Sequence, residues 1–580
     1  MNNAFTFIAL GLSTGALYGI AAQGMVAIYR GSGVINFAHG AMALLSAAVF
    51  VLLRNNLQLP VVVALPIAVG CSALCGFCID ALILRKIRNA SPLAKIVVTL
   101  AVLGMIESVV IAFTGSNLKF VDGFLPDAPL NFVGINISTD RVLLWLIAAI
   151  ITAALWAIYR FSDFGRQTTA VTESPRIASA MGISPNTVSQ LNWTIGSALA
   201  GLTGILLAPL TGLMASTMVL LINPVLAAAL VGRFTSFPLA LLGGLIIGVI
   251  QSLLNYADAG SGWSESVPFL IIIIALIARG QALPLRGFIA ARLPAVSAAS
   301  GFHRYHGLGL IIAVAAALLV GEDLLAAYTT SLLVAIILLS IIILTGMAGQ
   351  LSLGQYAFAG IGAFVSARLA DVYQWPFSLS FVAGVSTAII GGLIFALPAL
   401  RTRGVNLAIA TLGLGLAIDA LVFKNKDFTG GFAGTNISPP HLLGISFDSI
   451  IYPERFALLV ITVLALCLFI AINLRRSASG RRLLAIRGNE QAAASLGISV
   501  VRSKLYAFAL AAGMAAAAGV LMAFRFPSVR FDAGYSAFAS IPAVLMAFLG
   551  GIGFIGGAII GGLITMGGVV NELVSSLIDL

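Results

Sequence analysis

Apolar residues run along this chain in blocks of about twenty, separated by short polar stretches. Segments 60–84, 93–113, 141–160, 324–345, 376–400 and 453–474 each carry few or no charges. A helix of roughly 20 residues crosses the ~30 Å hydrocarbon core of a bilayer. Lipid offers no partner to an unpaired backbone group, so such blocks form helices. The pattern predicts an all-α integral membrane protein with roughly 16–18 membrane segments, some of them half-spans.

The pattern also repeats. GVINFAHGA at 33–41 returns as GQLSLGQYA at 349–357, an offset of 316, and VTLAVLGMIE at 98–107 returns as ATLGLGLAID at 410–419, an offset of 312. Gly165, Arg166, Ala170, Gly182, Ile183 and Ser184 fall on Gly480, Arg481, Ala485, Gly497, Ile498 and Ser499, all at 315. Pro224, Gly232, Gly243 and Gly244 fall on Pro542, Gly550, Gly561 and Gly562 at 318. Four matches in one order, with little drift, mark a tandem duplication of about 290 residues. The expected division is a first half at 1–280, a cytoplasmic linker at 281–306 and a second half at 307–580. Matched basic loops at 161–190 and 475–503 make the two bundles a parallel repeat about an axis along the membrane normal.

Interruptions in membrane helices carry information. The stretch 31–40 sets Asn36 and His39 among glycines, and its counterpart brings Gln350, Ser352 and Gln355 to the same place. Such side chains either line a translocation pathway or satisfy loosened backbone groups, and both readings stand. Two acids match inside apolar segments, Glu107 and Asp419. An ionised acid at a helix centre costs about 2.5–3.5 kcal/mol, so these either line a pathway, pair with a neighbouring helix or relay protons.

The loops 165–190 and 480–503 each open on Gly-Arg, continue as an Ala-rich helix and reach Gly-Ile-Ser. They exceed the usual two to eight residues of a helix connection. A short amphipathic helix repeated once per half suits docking of two copies of one soluble partner, with Gly182 and Gly497 permitting close backbone approach. Arg166, Glu173 and Arg176 belong to the first loop; Arg481, Arg482, Arg487 and Glu490 belong to the second.

Composition narrows the alternatives. The chain of 580 residues is 60% hydrophobic and 9% charged, against about a quarter charged in soluble domains. The net charge of +11 sits in loops such as Arg85, Lys86 and Arg88, and needs no nucleic acid. No Lys or Arg precedes Arg30, so the basic start of a signal peptide is absent and an outside N-terminus is expected. Cys71, Cys75 and Cys78 share a helix face without a His or acid beside them, and so are expected to pack rather than bind metal. Gly551, Gly553 and Gly556 spell a dinucleotide fingerprint but follow no strand, and Gly557 with Gly561 has helix-packing spacing. There is no P-loop, so the chain is not expected to bind ATP through one, and it is expected to be a permease without its own ATPase, not an enzyme.

At this point the chain resembles a known family. GLSTGALYGIAAQGMVAIYRGSGVINFAHGAMALL at 11–45 resembles the first permease subunit of bacterial branched-chain amino-acid ABC importers. IILLSIIILTGMAGQLSLGQYAFAGIGAF at 336–364 and TGGFAGTNIS at 429–438 resemble the second subunit. The resemblance implies an ABC importer permease fold, both subunits fused in one chain, in the bacterial cytoplasmic membrane. It implies as partners two ABC ATPase subunits, which would hold ATP and Mg, and an extracytoplasmic substrate-binding protein, with lipid around the chain and an amino acid as cargo. It further implies that the loops at Gly182 and Gly497 are coupling segments inserted into the ATPases. Glu173 and Glu490 lie nine and seven residues before those glycines, so the acids depart from register. Relatives also carry urea, amides and other amino acids. A stand-alone secondary transporter and a channel-like pore are the competing classes; parallel repeats weigh against the first and the lack of charge rings against the second.

Overall fold

The computed structural model describes residues 2–578 apart from 89, 91, 116, 133–134, 259, 261, 280–303, 402–404, 431–433 and 443. The chain forms two compact units, Met1–Arg292 and Leu293–Leu580. The expected linker at 281–306 lies for the most part outside the described residues. Among those residues eleven helices are long and apolar enough to cross a membrane, and six shorter apolar helices accompany them. Those seventeen elements agree with the sequence count, half-spans included.

The first unit runs α1 (Asn2–Ser32), α2 (His39–Asn55), α3 (Val61–Cys78, continued by a π-helical turn Ile79–Leu84), α4 (Pro92–Thr114), α5 (Thr139–Phe161), α6 (Asp163–Glu173) and α7 (Pro175–Ala180). It closes with α8 (Pro185–Thr211), α9 (Ala215–Leu220), α10 (Ile222–Val231), α11 (Phe237–Tyr256) and α12 (Trp263–Arg279). Their ends are chemically marked. Ser184 caps α8 by accepting from Thr187 N, Pro185 takes the first turn, and Gly212 ends the helix at φ 74°. Ser236 caps α11 in the same way through Leu239 N.

Helix α1 is the axis of this unit, packed on α5, α8, α10 and α11. Its approach to α11 is backbone to backbone: a Cβ at Gly15 would sit 2.7 Å from Gly244 O, and one at Gly11 would sit 2.7 Å from Gly248 O. Lipid supplies no hydrophobic drive between helices, so close packing of small residues holds such pairs. Helix α3 lies at the rim and turns Val62, Leu74 and Leu82 outward.

The second unit runs α13 (Arg304–Leu319), α14 (Glu322–Ile341, continued by a π turn Ile342–Met347), α15 (Gln355–Val372), α16 (Phe377–Arg401), α17 (Val405–Ile418, continued by a π turn Asp419–Phe423) and α18 (Lys426–Thr429). It continues with α19 (Pro453–Arg476), α20 (Ala478–Gly488), α21 (Glu490–Ser495), α22 (Val500–Ala523), α23 (Phe531–Gly534), α24 (Ser540–Gly550), α25 (Gly557–Ile564) and α26 (Val569–Ile578). Helix α14 holds the place of α1 and is buried over 94% of its apolar stretch, as a helix that is hydrophobic all round must be. The glycine seam does not recur here. Ser331 and Ala335 replace Gly15 and Gly19, and face Gly562.

Among the described residues three two-stranded ladders interrupt the all-α scheme. β1 (Pro129–Phe132) pairs with β2 (Ile135–Ser138), β4 (His441–Leu442) pairs with β5 (Ile445–Ser446), and β3 (Thr435–Asn436) pairs with β6 (Ser528–Val529), all antiparallel. All lie in loops between spans, where backbone groups need partners that a helix no longer supplies.

In the first unit Arg30 ties several helix ends together. Its Nη2 donates to Thr169 Oγ1 at 3.4 Å, its Nη1 to Thr235 O at 3.4 Å, and its own carbonyl accepts from Thr172 Oγ1 at 2.7 Å. Arg88 donates to Asn186 Oδ1 at the same end. That end gathers Arg85, Lys86, Arg160, Arg166 and Arg176, and the excess of cations assigns it to the cytoplasm.

Candidate translocation and coupling elements

The two helix breaks are built alike, position for position. Gly33 and Gly349, matched at offset 316, take φ 70° and 69°, where a side chain would be strained. Asn36 Oδ1 accepts from Ala38 N at 3.0 Å, and Ser352 Oγ accepts from Gly354 N at 3.3 Å, so each turns the chain into the next helix. The amide of Phe37 donates to Thr99 Oγ1 at 3.4 Å on α4, and that of Leu353 to Thr411 Oγ1 at 3.0 Å on α17. A threonine thus pins each unwound stretch to the same neighbouring helix. Sequence reasoning missed both, although Thr99 and Thr411 stand inside the matched segments that flagged the repeat.

The next helix start faces α1 or its equivalent. His39 Nε2 donates to Ala21 O at 2.9 Å. Gln355 Oε1 accepts from Ser340 Oγ at 3.1 Å. Gly24 holds the place of Ser340 and leaves room for the imidazole, since a Cβ there would stand 3.1 Å from Cε1. Asn36, His39, Gln350, Ser352 and Gln355 are all buried. Much of their polarity satisfies backbone, yet His39 Nδ1, Gln350 Oε1 and Gln355 Nε2 are buried without a hydrogen-bond partner. An unmade buried bond costs about 1–3 kcal/mol, so these three atoms are where the breaks can offer a bond to something else. Gln23 on α1 belongs with them: its Nε2 donates to Thr152 Oγ1 at 2.7 Å and its Oε1 is unpartnered.

Glu107 and Asp419 do occupy equivalent helices, in different settings. Glu107 is half-buried in the straight α4, whereas Asp419 is buried and opens the π turn after α17. Each lies eight residues beyond its threonine pin, about 12 Å along the helix axis. The acids and the breaks are therefore separate features. A buried acid that the periodicity did not suggest is Asp80, whose Oδ1 accepts from Ser189 Oγ at 2.7 Å.

The two cytoplasmic elements are helix pairs with one shared hydrogen-bond pattern. Ser162 and Ser477 cap the first helices through Gly165 N and Gly480 N. Ser174 and Asn489 cap the second helices. Ile183 N donates to Ala178 O at 3.0 Å and Ile498 N to Ala493 O at 3.1 Å, which closes each second helix around a left-handed glycine. Gly182 and Gly497 take φ 81° and 79°, with nothing within 4 Å of a Cβ built on either. The glycines are thus required by the backbone turn, and within this chain their surroundings are open.

Beside each glycine stands a large apolar side chain in the open, Met181 at 73% and Leu496 at 79% exposure. Arg166 is exposed and paired with exposed Asp163. Glu173, Arg176, Arg481 and Arg482 are also exposed. Glu490 differs from the sequence expectation. It turns inward to Lys504 Nζ at 3.0 Å, with side chains 11% and 3% exposed, and receives Gln350 Nε2 at 3.5 Å. Arg487 is half-buried against Gly349. The second helix pair is thereby tied to its helix break. Replacing Lys504 by Met removes the cation facing a buried carboxylate and is expected to destabilise the chain by about 3–5 kcal/mol, while Lys504→Met with Glu490→Gln recovers most of the loss. Thermal unfolding of the single and double variants in detergent measures this. Additive losses would refute the pairing.

Residues 7–276 and 324–580 both match the family described as branched-chain amino acid transport system / permease component. The high-affinity branched-chain amino acid transport permease LivM of Salmonella typhimurium is 34% identical over 241 residues, 37% of this chain and 56% of that protein. LivH of the same organism is 26% identical over 289 residues, covering 46% of this chain and 91% of LivH. A probable LivH of Methanocaldococcus jannaschii is 32% identical over 272 residues, 44% of this chain and 84% of that protein. The chain thus spans little more than half of LivM and nearly all of LivH. No solved structure matches the chain.

Proposed function

Because the chain belongs to the branched-chain amino-acid transport permease family and carries its unit twice, we propose that it forms the membrane-spanning permease of an ATP-driven amino-acid importer. The family is one of transporters, and the chain is a multi-pass membrane permease, not itself an enzyme. The cargo is a branched-chain amino acid, as the names of the relatives suggest for their own systems. Two P-loop ATPase subunits supply the energy and hold ATP and Mg, and a binding protein outside the membrane delivers the cargo.

The observation that carries this reading is the pair of matched cytoplasmic helix elements, each presenting an exposed apolar side chain to water at Met181 and Leu496. Apolar side chains held out on rigid, capped helices suit a protein contact. Two copies of one contact suit two copies of one partner. The alternating-access motion then enters through these elements. In the second half it passes by Glu490 and Gln350 to the break before α15, where polar atoms without protein partners can meet the cargo.

The test is reconstitution. The purified chain in vesicles is expected neither to hydrolyse ATP nor to accumulate leucine down or against an ion gradient. Adding two ATPase subunits and a binding protein encoded beside it restores ATP-dependent uptake, and competition by isoleucine, valine, urea and short amides ranks the cargo. Accumulation by the chain alone on a proton or sodium gradient would replace this reading with a secondary transporter.

A further inference from the structure

The inward pair Glu490–Lys504 has no copy in the first unit. Pro175 and Ser189 stand at the matching positions, at offset 315. The same corner of that unit, between the cytoplasmic ends of α3 and α4 and the start of α8, instead holds a small open cleft of about 30 Å³. Asp80, Arg85, Arg88, Lys95 and Ser189 line it, and Val34 of the helix break forms one wall.

Charge in the cleft is out of balance. Asp80 already accepts from Ser189, and Arg88 spends one donor on the neutral Asn186. Among the described residues none of Arg85, Arg88 and Lys95 forms an ion pair. Burial pulls the Arg88 guanidinium below its ordinary pKa; Asp80 opposes this and Arg85 adds to it. Three cations thus converge on a partly enclosed space that offers one carboxylate, which faces Arg88 and Arg85, and leaves two positive charges in excess. In the second unit the equivalent corner neutralises itself with a carboxylate of its own chain.

The depth of the cleft is also informative. The α3 span ends at Leu84 and the α4 span begins at Ala94, so the cations stand at the border between hydrocarbon and cytosol. Negatively charged lipid headgroups occupy that level, and basic pockets between helices on this side suit them. An Arg fork beside a Lys ammonium matches the several oxygens of a phosphate group.

We propose that this cleft binds a phosphate oxyanion, carried by an anionic phospholipid of the inner leaflet or free in the cytosol. The bound anion replaces, for the first half, the carboxylate that Glu490 supplies to the second. It braces the break at Val34 from the cytoplasmic side. Permease activity would then depend on anionic lipid or phosphate through one half only.

The full chain, purified in a non-ionic detergent, is offered phosphatidylglycerol or phosphatidylcholine, and retained lipid is counted by native mass spectrometry. Inorganic phosphate is then titrated as competitor and followed by phosphorus NMR. Wild type is expected to prefer phosphatidylglycerol, and Arg88→Gln with Lys95→Gln to weaken retention about tenfold or more. Lys95→Gln alone, which spares the Arg88–Asn186 bond, shows a smaller loss and serves if the double variant fails to fold. Arg160→Gln, an exposed cation on the same side, leaves retention unchanged. Displacement by millimolar phosphate assigns the site to free phosphate, and resistance assigns it to lipid. Equal retention and equal phosphate binding in wild type and both cleft variants would overturn the proposal. So would variants that lose only ATPase binding, which would give the cations to a protein contact.

Discussion

Gly248→Leu is expected to leave no stable, monodisperse protein, and Gly15→Leu to do the same. A Cβ at Gly248 would stand 2.6 Å from Gly15 Cα, and one at Gly15 would stand 2.8 Å from Leu245 Cα. These are clashes with backbone, which no rotamer relieves, so α1 and α11 must separate along their seam. Overpacking costs about 1–3 kcal/mol even where side chains can yield, and a folded chain has only about 5–15 kcal/mol in hand. Because α1 is the axis of its unit, the loss spreads to α5, α8 and α10. Gly70→Leu is the control: it too sits in a membrane helix, with nothing within 4 Å of its Cβ. Size-exclusion profiles and thermal stability in detergent decide the matter. A well-behaved Gly248→Leu protein would show that the seam does not hold these helices.

The second large effect is functional. Met181→Asp and Leu496→Asp are expected to leave folding untouched, since both side chains are already in water and such surface changes stay within about 0.5 kcal/mol. Each removes an apolar side chain whose burial contributes about 1.5–3 kcal/mol, or roughly ten- to a hundredfold in ATPase affinity. The double variant should lose uptake altogether. Gly182 separates shape from contact. At φ 81° Gly182→Asn is tolerated, whereas Gly182→Val strains the turn by more than the ~1–2 kcal/mol of an ordinary residue and uncouples hydrolysis from transport. Salt should weaken the second contact more, because Arg481 and Arg482 flank it. Normal ATPase binding and uptake in the double Asp variant would make these elements mere connectors.

Much of this architecture is written in periodicity. Apolar blocks of membrane length announce the spans, and recurring glycine and polar positions announce the duplication, because both signals are local and repeat. The coupling helices were legible for the same reason: each cap, from Ser162 to Asn489, lies within three residues of the amide it satisfies. What stayed hidden depends on side chains far apart in the chain. Asp80 meets Ser189 across 109 residues, and Leu353 meets Thr411 across 58. No window of sequence contains both partners. In sequence Glu490 reads as a docking acid because it follows a run of arginines, and only the packing of α21 on α22 turns it inward to Lys504. The π turns after α3, α14 and α17 are likewise set by packing against neighbours, which propensity does not encode.

The caps and turns of the two helix pairs are local, and this bears on how the copies diverge. The caps at Ser162, Ser174, Ser477 and Asn489 and the turns at Ile183 and Ile498 are each closed within their own segment, at matched positions in the two copies. Scaffold and surface can therefore diverge independently. The outward residues of the two copies differ, as Gln167 against Arg482 and Arg176 against Gln491 show, while the capping residues and left-handed glycines keep the shape. A change of partner therefore asks only for changes at a handful of exposed positions, with the local turns left in place.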